Sequence, residues 1–225
     1  MKTIAIIPAR GGSKRLPNKN VLDFGGIPLL VHSIMYAKAN SSIIDAVYVT
    51  TNDDAIKKIA LQYGAQVIDR PTTLSDDTAP TVSALKHVLE VLDNTQIENV
   101  VLLQPTNPLR PESLLRDCYQ IFQQNNCESL FTVSQSHHKL GKISNHRFVP
   151  FNYEIGQRSQ DLEPLFFENG LLYLAKAALI VQNTLISENA YPFKVHHIYA
   201  TVDIDTQNDL DYAEYLIQKL NTAEL

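Results

Sequence analysis

Short runs rich in Val and Ile alternate with amphipathic stretches along most of this 225-residue chain, and that rhythm restricts the fold more than any other feature. Residues 3–8, 46–51, 66–68, 99–103 and 129–133 contain no charged side chain. Strands buried on both faces of a parallel sheet look like this, because neither face meets water. Between them, residues 28–39, 53–63, 81–92 and 111–125 read as helices. In the third, Val82, Leu85, Val88, Leu89 and Leu92 share one face at helical spacing. Pro28 and Pro111 sit where a first helical turn tolerates proline, and Asn52 or Asp53 is placed to cap the second helix. The alternation predicts an α/β fold with a mostly parallel sheet, residues 1–225 forming one domain.

After Val133 the rhythm stops. Residues 134–168 carry His137, His138, Lys139, Lys142, His146, Arg147 and Arg158 with no clear helical spacing. About 30 residues without regular alternation mark an excursion that serves function or an interface. The pattern then resumes, with a strand expected at 171–174, a helix at 175–181, a strand at 195–204 and a closing helix at 206–220. Leu210, Ala213, Leu216, Ile217 and Leu220 give that helix its apolar face.

Glycine and charge single out one end of the chain. Only 8 glycines are present, and the pairs Gly11-Gly12 and Gly25-Gly26 take half of them. Residues 1–20 carry Lys2, Arg10, Lys14, Arg15 and Lys19 and no acid, although the whole chain has a formal charge of -5. An acidic body disfavours general nucleic-acid binding, whereas a local basic loop suits one small anion. No apolar run reaches membrane-spanning length, and the apolar start is too short for a secretory leader, so a cytoplasmic protein is expected. Two cysteines, Cys118 and Cys127, are too few for a disulfide framework or a zinc site.

Three motifs carry chemistry. Residues 9–20, Ala9-Arg10-Gly11-Gly12-Ser13-Lys14-Arg15-Leu16-Pro17-Asn18-Lys19-Asn20, follow the first expected strand directly. Ligands of open α/β sheets bind beyond the carboxyl ends of strands. Paired glycines expose backbone N–H groups, Ser13 adds a hydroxyl and the basic side chains add charge, which together make a cradle for several phosphates. The spacing is neither that of a Walker A loop nor that of a dinucleotide fingerprint. The second motif is Asp203-Ile204-Asp205. On a strand these carboxylates share a face about 7 Å apart and can converge on one Mg²⁺ together with substrate phosphates. Asp205 is equally placed to cap the closing helix, which would leave Asp203 unexplained. The third is residues 104–110, Gln104-Pro105-Thr106-Asn107-Pro108-Leu109-Arg110. Two prolines stiffen it while Gln104 and Asn107 offer amides, either to a ribose or base edge or to the turn itself.

Taken in order, these motifs resemble the signature of the acylneuraminate cytidylyltransferases, the CMP-nonulosonate synthetases. The resemblance rests on residues 8–14 with Leu16-Pro17 and Lys19-Asn20, on Arg70-Pro71, on residues 74–81 with Asp77-Thr78-Ala79, and on residues 102–110. Gln157-Arg158, Asn169-Gly170 with Tyr173, and Asp203-Ile204-Asp205 complete it. It implies a Rossmann-like three-layer nucleotidyltransferase fold, Mg²⁺ dependence and a homodimer. Residues 134–168 would be the dimerisation excursion that helps close the neighbouring subunit's sugar site. The implied reaction joins CTP and a nonulosonic acid into a CMP-sugar and pyrophosphate.

Position by position, the resemblance assigns Ala9, Arg10, Gly11, Ser13, Lys19 and Asn20 to the nucleotide and its triphosphate. Arg70 and Ala79 go to cytosine and Thr81 to a neighbouring hydroxyl. Gln104, Lys142, Arg158, Phe167 and Asn169 go to the sugar, and Asp203 and Asp205 to the metal. Arg10, Lys19, Asp203 and Asp205 are then the catalytic candidates.

The chain departs from the pattern at Phe167, where bacterial N-acetylneuraminate enzymes often place an Arg for the sugar carboxylate; Arg158 is the substitute candidate. The stretch from His137 to Lys142 is one residue longer than the pattern. Two rival enzymes share some features. A 3-deoxy-manno-octulosonate cytidylyltransferase shares fold and chemistry, but the Glu168-Asn169-Gly170 and 104–110 contexts disfavour it. A metal-dependent glycosyltransferase shares a D-x-D motif, but that motif lies nearer the middle of its nucleotide domain and needs no triphosphate cradle. A non-catalytic nucleotide-binding protein would have no use for both the loop and the acid pair. His137 and His138 read as loop residues, Asp209, Asp211 and Glu214 as acids of the last helix, and Gly25-Gly26 as a turn before Pro28.

Overall fold

The computed structural model describes residues 2–76, 78–93 and 96–223; Asp77 lies outside them, as does the side chain of Leu220. The strands are β1 (Lys2–Pro8), β2 (Asp23–Phe24), β3 (Ile27–Pro28), β4 (Ala46–Thr51), β5 (Gln66–Asp69), β6 (Ile97–Leu102), β7 (Ser129–Ser136), β8 (Gly141–Ser144), β9 (Arg147–Pro150), β10 (Leu165–Lys176) and β11 (Tyr191–Lys194). The helices are α1 (Leu29–Ala39), α2 (Asp54–Gln62), α3 (Thr81–Val91), α4 (Leu114–Gln124), α5 (Ala177–Val181) and α6 (Gln207–Ala223).

Seven strands form one sheet in the order β11-β7-β10-β6-β1-β4-β5. The β1–β4, β1–β6, β4–β5 and β7–β11 pairs are parallel; β10 runs against both β6 and β7. The sheet is therefore mixed and mostly parallel, as the alternation predicts. Its two faces are read directly from β1. Ala5 and Ile7 pack in one buried cluster with Leu30 and Ile34 of α1, Ile56 of α2 and Phe122 of α4. Ile4 and Ile6 pack in a second with Leu85, Val88 and Leu89 of α3 and Ile180 of α5. Alternate residues of one strand thus feed opposite helical layers, which is why the run is apolar throughout.

A third buried cluster lies below the loop ends. It joins Leu16, Phe24, Leu29 and Leu109 to Val202 and Ile204 and to Leu210, Ala213 and Leu216 of α6. The basic loop, the 104–110 turn and the 203–205 segment are thereby held over one apolar floor. Gly25 and Gly26, at φ 62° and 89°, make the two-residue turn of the β2–β3 hairpin, where both positions require positive φ.

The expected strand at 195–204 is corrected. The edge strand is β11, ending at Lys194, and residues 198–201 form a 3₁₀ turn capped by His197, whose Nδ1 accepts from Tyr199 N at 3.1 Å. The chain leaves the sheet edge there and crosses to the 104–110 turn, where Ile204 N donates to Thr106 O at 2.8 Å. Buried Val202 and Ile204 imitate a strand pattern because they plug the third cluster. Strand β10 is also longer than the expected 171–174; its register with β7 breaks between Glu168 and Tyr173, around Asn169-Gly170. Within 134–168, the two-stranded sheet β8–β9 stands apart from the main sheet. Pro28 and Pro111 both precede their helices rather than opening the first turn.

Candidate active site

The cradle begins where β1 ends. Ala9 is buried and its N–H reaches Thr50 O at 3.0 Å, so the loop starts pinned to β4. Gly11 N donates to Asn52 Oδ1 at 3.1 Å. A Cβ on Gly11 would lie 2.8 Å from Asp53 Oδ2, which is why this position carries no side chain. Asp53 caps α2, as expected, by accepting from Ala55 N and Ile56 N. Asn20 is buried, and its Nδ2 donates to Arg10 O at 2.9 Å, closing the loop on itself.

Three cavities meet at Arg10. One of about 340 Å³ is lined by Ser13, Lys14, Arg15, Leu16, Lys19 and Asp205. A second of about 180 Å³ lies between the glycine pair, Asn18 to Val21 and the start of α2. A third of about 280 Å³ is bounded by Arg70, Asp76, Ala79, Thr81, Gln104 and Thr106. The first holds cations for an anion; the third is flatter in charge and suited to a base and ribose.

Arg70 is buried, with Nη2 donating to Thr50 O at 2.5 Å. Burial, with the neighbouring Arg10 charge added, lowers its pKa to about 10, so it stays cationic. Arg10 Nη1 donates to Ser75 O at 3.2 Å, tying the cradle to the loop before α3. Asp76 Oδ1 accepts from Thr78 N and Ala79 N and shapes the turn that presents Ala79.

The acid pair sits across the first cavity. Asp205 meets Arg15 Nη2 at 2.5 Å and Lys19 Nζ at 2.7 Å. The Arg15 side chain is 69% exposed and its pair is screened by water; the Lys19 side chain is 11% exposed and its pair is not. Asp203 is held above the ordinary carboxylate range by desolvation, offset by a hydrogen bond from Thr106, with the Asp205 charge adding to the rise and Lys19 opposing it. Two expectations are corrected. Asp203 and Asp205 are not on a strand but in an irregular crossing segment. Asp205 does not cap α6; Asp209 accepts from Asp205 N and Thr206 N instead, in the reciprocal arrangement of a capping box with Thr206.

The 104–110 turn divides its amides. Gln104 lines the third cavity. Asn107 does not reach solvent: it is 1% exposed and its Nδ2 donates to Asn169 O at 3.1 Å and Val202 O at 2.8 Å. Of the two roles its amide could take, ligand or protein, Asn107 takes the second. Arg110 is also buried; Nε donates to Leu171 O at 2.6 Å, Nη2 to Gln104 O at 2.8 Å and Nη1 to Ser33 Oγ at 3.1 Å. Burial lowers its pKa to about 10. Sequence reasoning left the role of Asn107 open and missed Arg110 as an anchor of the turn. The only signal was an Arg at a turn end, which reads equally as surface charge.

The sugar candidates are scattered. Asn169 is buried, its Oδ1 accepting from Thr132 Oγ1 at 2.6 Å and its Nδ2 donating to Ser134 Oγ at 3.0 Å. Gly170, at φ 75°, has no room for a Cβ, which would fall 2.6 Å from Asn107 Oδ1. Phe167 is 45% exposed on β10, Lys142 is exposed on β8, and Arg158 pairs with Asp161 at 2.8 Å. Phe167, Lys142, Arg158 and Asn169 line none of the three cavities of this chain.

A basic loop at the carboxyl ends of a mostly parallel, two-sided sheet places the molecule among Rossmann-like nucleotidyltransferase folds. The structure of a CMP:2-keto-3-deoxy-manno-octonic acid synthetase complexed with CTP superposes with TM-score 0.74 at 17% identity, over 97% of this chain and 99% of that one. Residues 4–224 match the cytidylyltransferase family model, and the chain belongs to that family. It is 34% identical to the pseudaminic acid cytidylyltransferase of Campylobacter jejuni over 96% of each chain. It is also 34% identical to the CMP-N,N'-diacetyllegionaminic acid synthase of Legionella pneumophila over 97% of each. The N-acylneuraminate cytidylyltransferase of Streptococcus agalactiae is 29% identical over 93% of this chain and 52% of its own length. The relatives named here are CMP-nonulosonate synthetases.

Proposed function

We propose that this chain, as one cytidylyltransferase domain of the N-acylneuraminate type, transfers CMP from CTP to a nonulosonic acid and releases pyrophosphate. The observation that carries this reading is the meeting of an anion cavity and a base-sized cavity at Arg10, with the acid pair across the first. The α-phosphorus belongs at that junction. Arg10, Ser13 and Lys19 would hold the triphosphate and take up charge as pyrophosphate leaves; Arg70, Ala79 and Thr81 would hold the nucleoside. Positioning and charge neutralisation are what phosphoryl-type transfer asks of a protein.

The donor set beside the cradle fits Mg²⁺. Asp203 and Asp205 offer hard oxygen ligands only, and among the described residues no third acid, His or Cys completes a cage, so phosphate oxygens would fill the rest. Bound there, Mg²⁺ would neutralise charge on the phosphate oxygens. Within the chain, Lys19 and Arg15 hold the Asp205 carboxylate at the edge of the cavity by ion pairs, and a hydrogen bond from Thr106 partly offsets the desolvation that raises the pKa of Asp203. An ionised carboxylate is also positioned to take the proton of the attacking sugar hydroxyl.

The homodimer reading is supported by apolar side chains left in water on the excursion: Ile143 is 82% exposed and Ile155 84%. Large exposed apolar groups in one segment mark a protein interface. In such a dimer Lys142 and Arg158 would serve the neighbouring subunit's sugar site, which agrees with their distance from this chain's own cavities. Among the described residues no helix is long and apolar enough to cross a membrane, and a cytoplasmic location is part of the same reading.

The test is pyrophosphate release from CTP and Mg²⁺ with a panel of pseudaminic, legionaminic and N-acetylneuraminic acids. Release is expected with at least one of them and not with UTP; silence across the panel would refute the function. Asp203→Asn should abolish turnover with the fold retained, and full activity in that variant would remove the metal role.

A further inference from the structure

The segment that carries both carboxylates has no ladder to hold it. Residues 202–205 lie outside the sheet and before α6. Beside the Lys19 and Arg15 pairs of Asp205 and the Thr106 bond to the Asp203 side chain, two hydrogen bonds from the 104–110 turn hold the backbone of this segment: Ile204 N to Thr106 O at 2.8 Å, and Asn107 Nδ2 to Val202 O at 2.8 Å. Both come from adjacent residues of one turn. The second proton of the Asn107 amide goes to Asn169 O at 3.1 Å, and Thr106 Oγ1 donates to Asn107 Oδ1 at 3.1 Å. Both donors of the amide are used, and the Asn169 and Val202 carbonyls they reach set which way the amide faces. A Cβ on Gly170 would fall 2.6 Å from the same oxygen, so the glycine leaves the amide its room.

We propose that Asn107 is the positioning residue that fixes the Asp203–Asp205 segment against the basic loop, a role that rests on reading those carboxylates as the metal ligands. The neutral side chain at its position is one that can clamp two backbone carbonyls at once. Its reach is what sets the carboxylates at a constant distance from a cradle built on another part of the sheet. Groups that orient metal ligands from behind typically change affinity by about 10–100-fold when lost. A buried Asn that merely satisfies carbonyls would change stability and nothing else.

The test is Mn²⁺ binding, read as loss of the free-Mn²⁺ EPR signal, in the full-length protein with saturating CTP and no sugar. Asn107→Ala is expected to raise the Mn²⁺ dissociation constant by about tenfold or more. Thr132→Val serves as the control. It removes a hydrogen bond of the same buried network, Thr132 Oγ1 to Asn169 Oδ1, without touching residues 202–205. It should lower the melting temperature but leave Mn²⁺ binding within about twofold. Unchanged binding in Asn107→Ala, or equal weakening in Thr132→Val, overturns the proposal. Should Asn107→Ala not fold, Asn107→Leu replaces it, keeping the buried volume without the Nδ2 donor. That variant releases Val202 O without touching Asp203 or Asp205 and is expected to weaken Mn²⁺ binding about tenfold, with unchanged binding again overturning the proposal. Asp203→Asn in the same titration separates the two layers. Weakened binding there with none in Asn107→Ala defeats the positioning role alone. Unchanged binding in Asp203→Asn defeats the metal reading and the positioning role with it.

Discussion

At the carboxyl ends of β1, β4 and β6, several charged side chains are held by this chain's own groups: Lys19 and Arg15 by Asp205, Arg70 by Thr50, Arg110 by Gln104 and Leu171. Beyond β7 the balance is reversed. Ile143, Phe151 and Ile155 of the excursion are 82%, 69% and 84% exposed, and among the described residues none of 137–158 belongs to a buried core cluster. The first region is closed by its own chain. The second leaves apolar side chains in water, which is the pattern the proposed homodimer reading rests on. Chemistry that needs fixed charge is therefore placed where the fold is self-sufficient, and the region left open is the one read as completing a neighbour.

The largest effect expected from breaking this contrast lies in the closed region. Lys19→Met removes the shielded cation of the cradle and should lower kcat/KM for CTP by about 10²–10³-fold in a pyrophosphate-release assay. It should also leave Asp205 with the water-screened Arg15 alone, so a wild-type rate in this variant would deny that the closed region carries the chemistry. Arg110→Lys comes next. A single ammonium cannot serve Gln104 O, Leu171 O and Ser33 Oγ in the same plane, so urea denaturation should show a loss of about 1–3 kcal/mol.

The open region should respond in the opposite sense. Ile143→Asp combined with Ile155→Asp should halve the mass in sedimentation and cut turnover by about tenfold through the lost neighbour. Its unfolding free energy should move by no more than about 0.5 kcal/mol, since both positions are exposed. A variant that stays dimeric would remove the excursion as the interface.

Two smaller effects sharpen the picture. Gly11→Ala pushes a methyl against Asp53 and should disturb the cap of α2, costing about 1 kcal/mol by thermal melt with a raised KM for CTP. The smallest concerns His32, whose Nε2 meets Phe24 O at 2.8 Å and whose pKa is lowered by burial. Below about pH 6.5 the unfolded chain takes up a proton that the folded His32 refuses, so stability falls as pH drops. His32→Gln removes that proton uptake, and the stability loss between about pH 7.5 and about pH 5.5 should shrink relative to the parent chain.

Much of this was legible in residue order. Uncharged Val/Ile runs mark β1, β4 and β6 because they are buried on two faces, and Asp53 marks its helix because a capping side chain acts within one turn. The basic loop was legible for the same reason: Arg10 to Asn20 are neighbours in sequence and in space. Residues 195–204 misled because Val202 and Ile204 alternate to fill an apolar floor and not to join a sheet. Asn107 was left undecided and Arg110 was missed because their partners, Val202, Asn169, Leu171 and Ser33, are 61 to 95 positions away.

The sequence by itself therefore determined the alternating layers, the basic glycine loop and the family signature, all of which follow from short-range periodicity and from residues close in the chain. Only the tertiary structure decided which polar side chains face a cavity and which are consumed as braces. It placed Asp205 on Lys19, turned Asn107 inward and left the excursion in water. An amide or a guanidinium has the same donors wherever it stands; burial and the carbonyls that happen to surround it decide whether those donors hold a ligand or the protein.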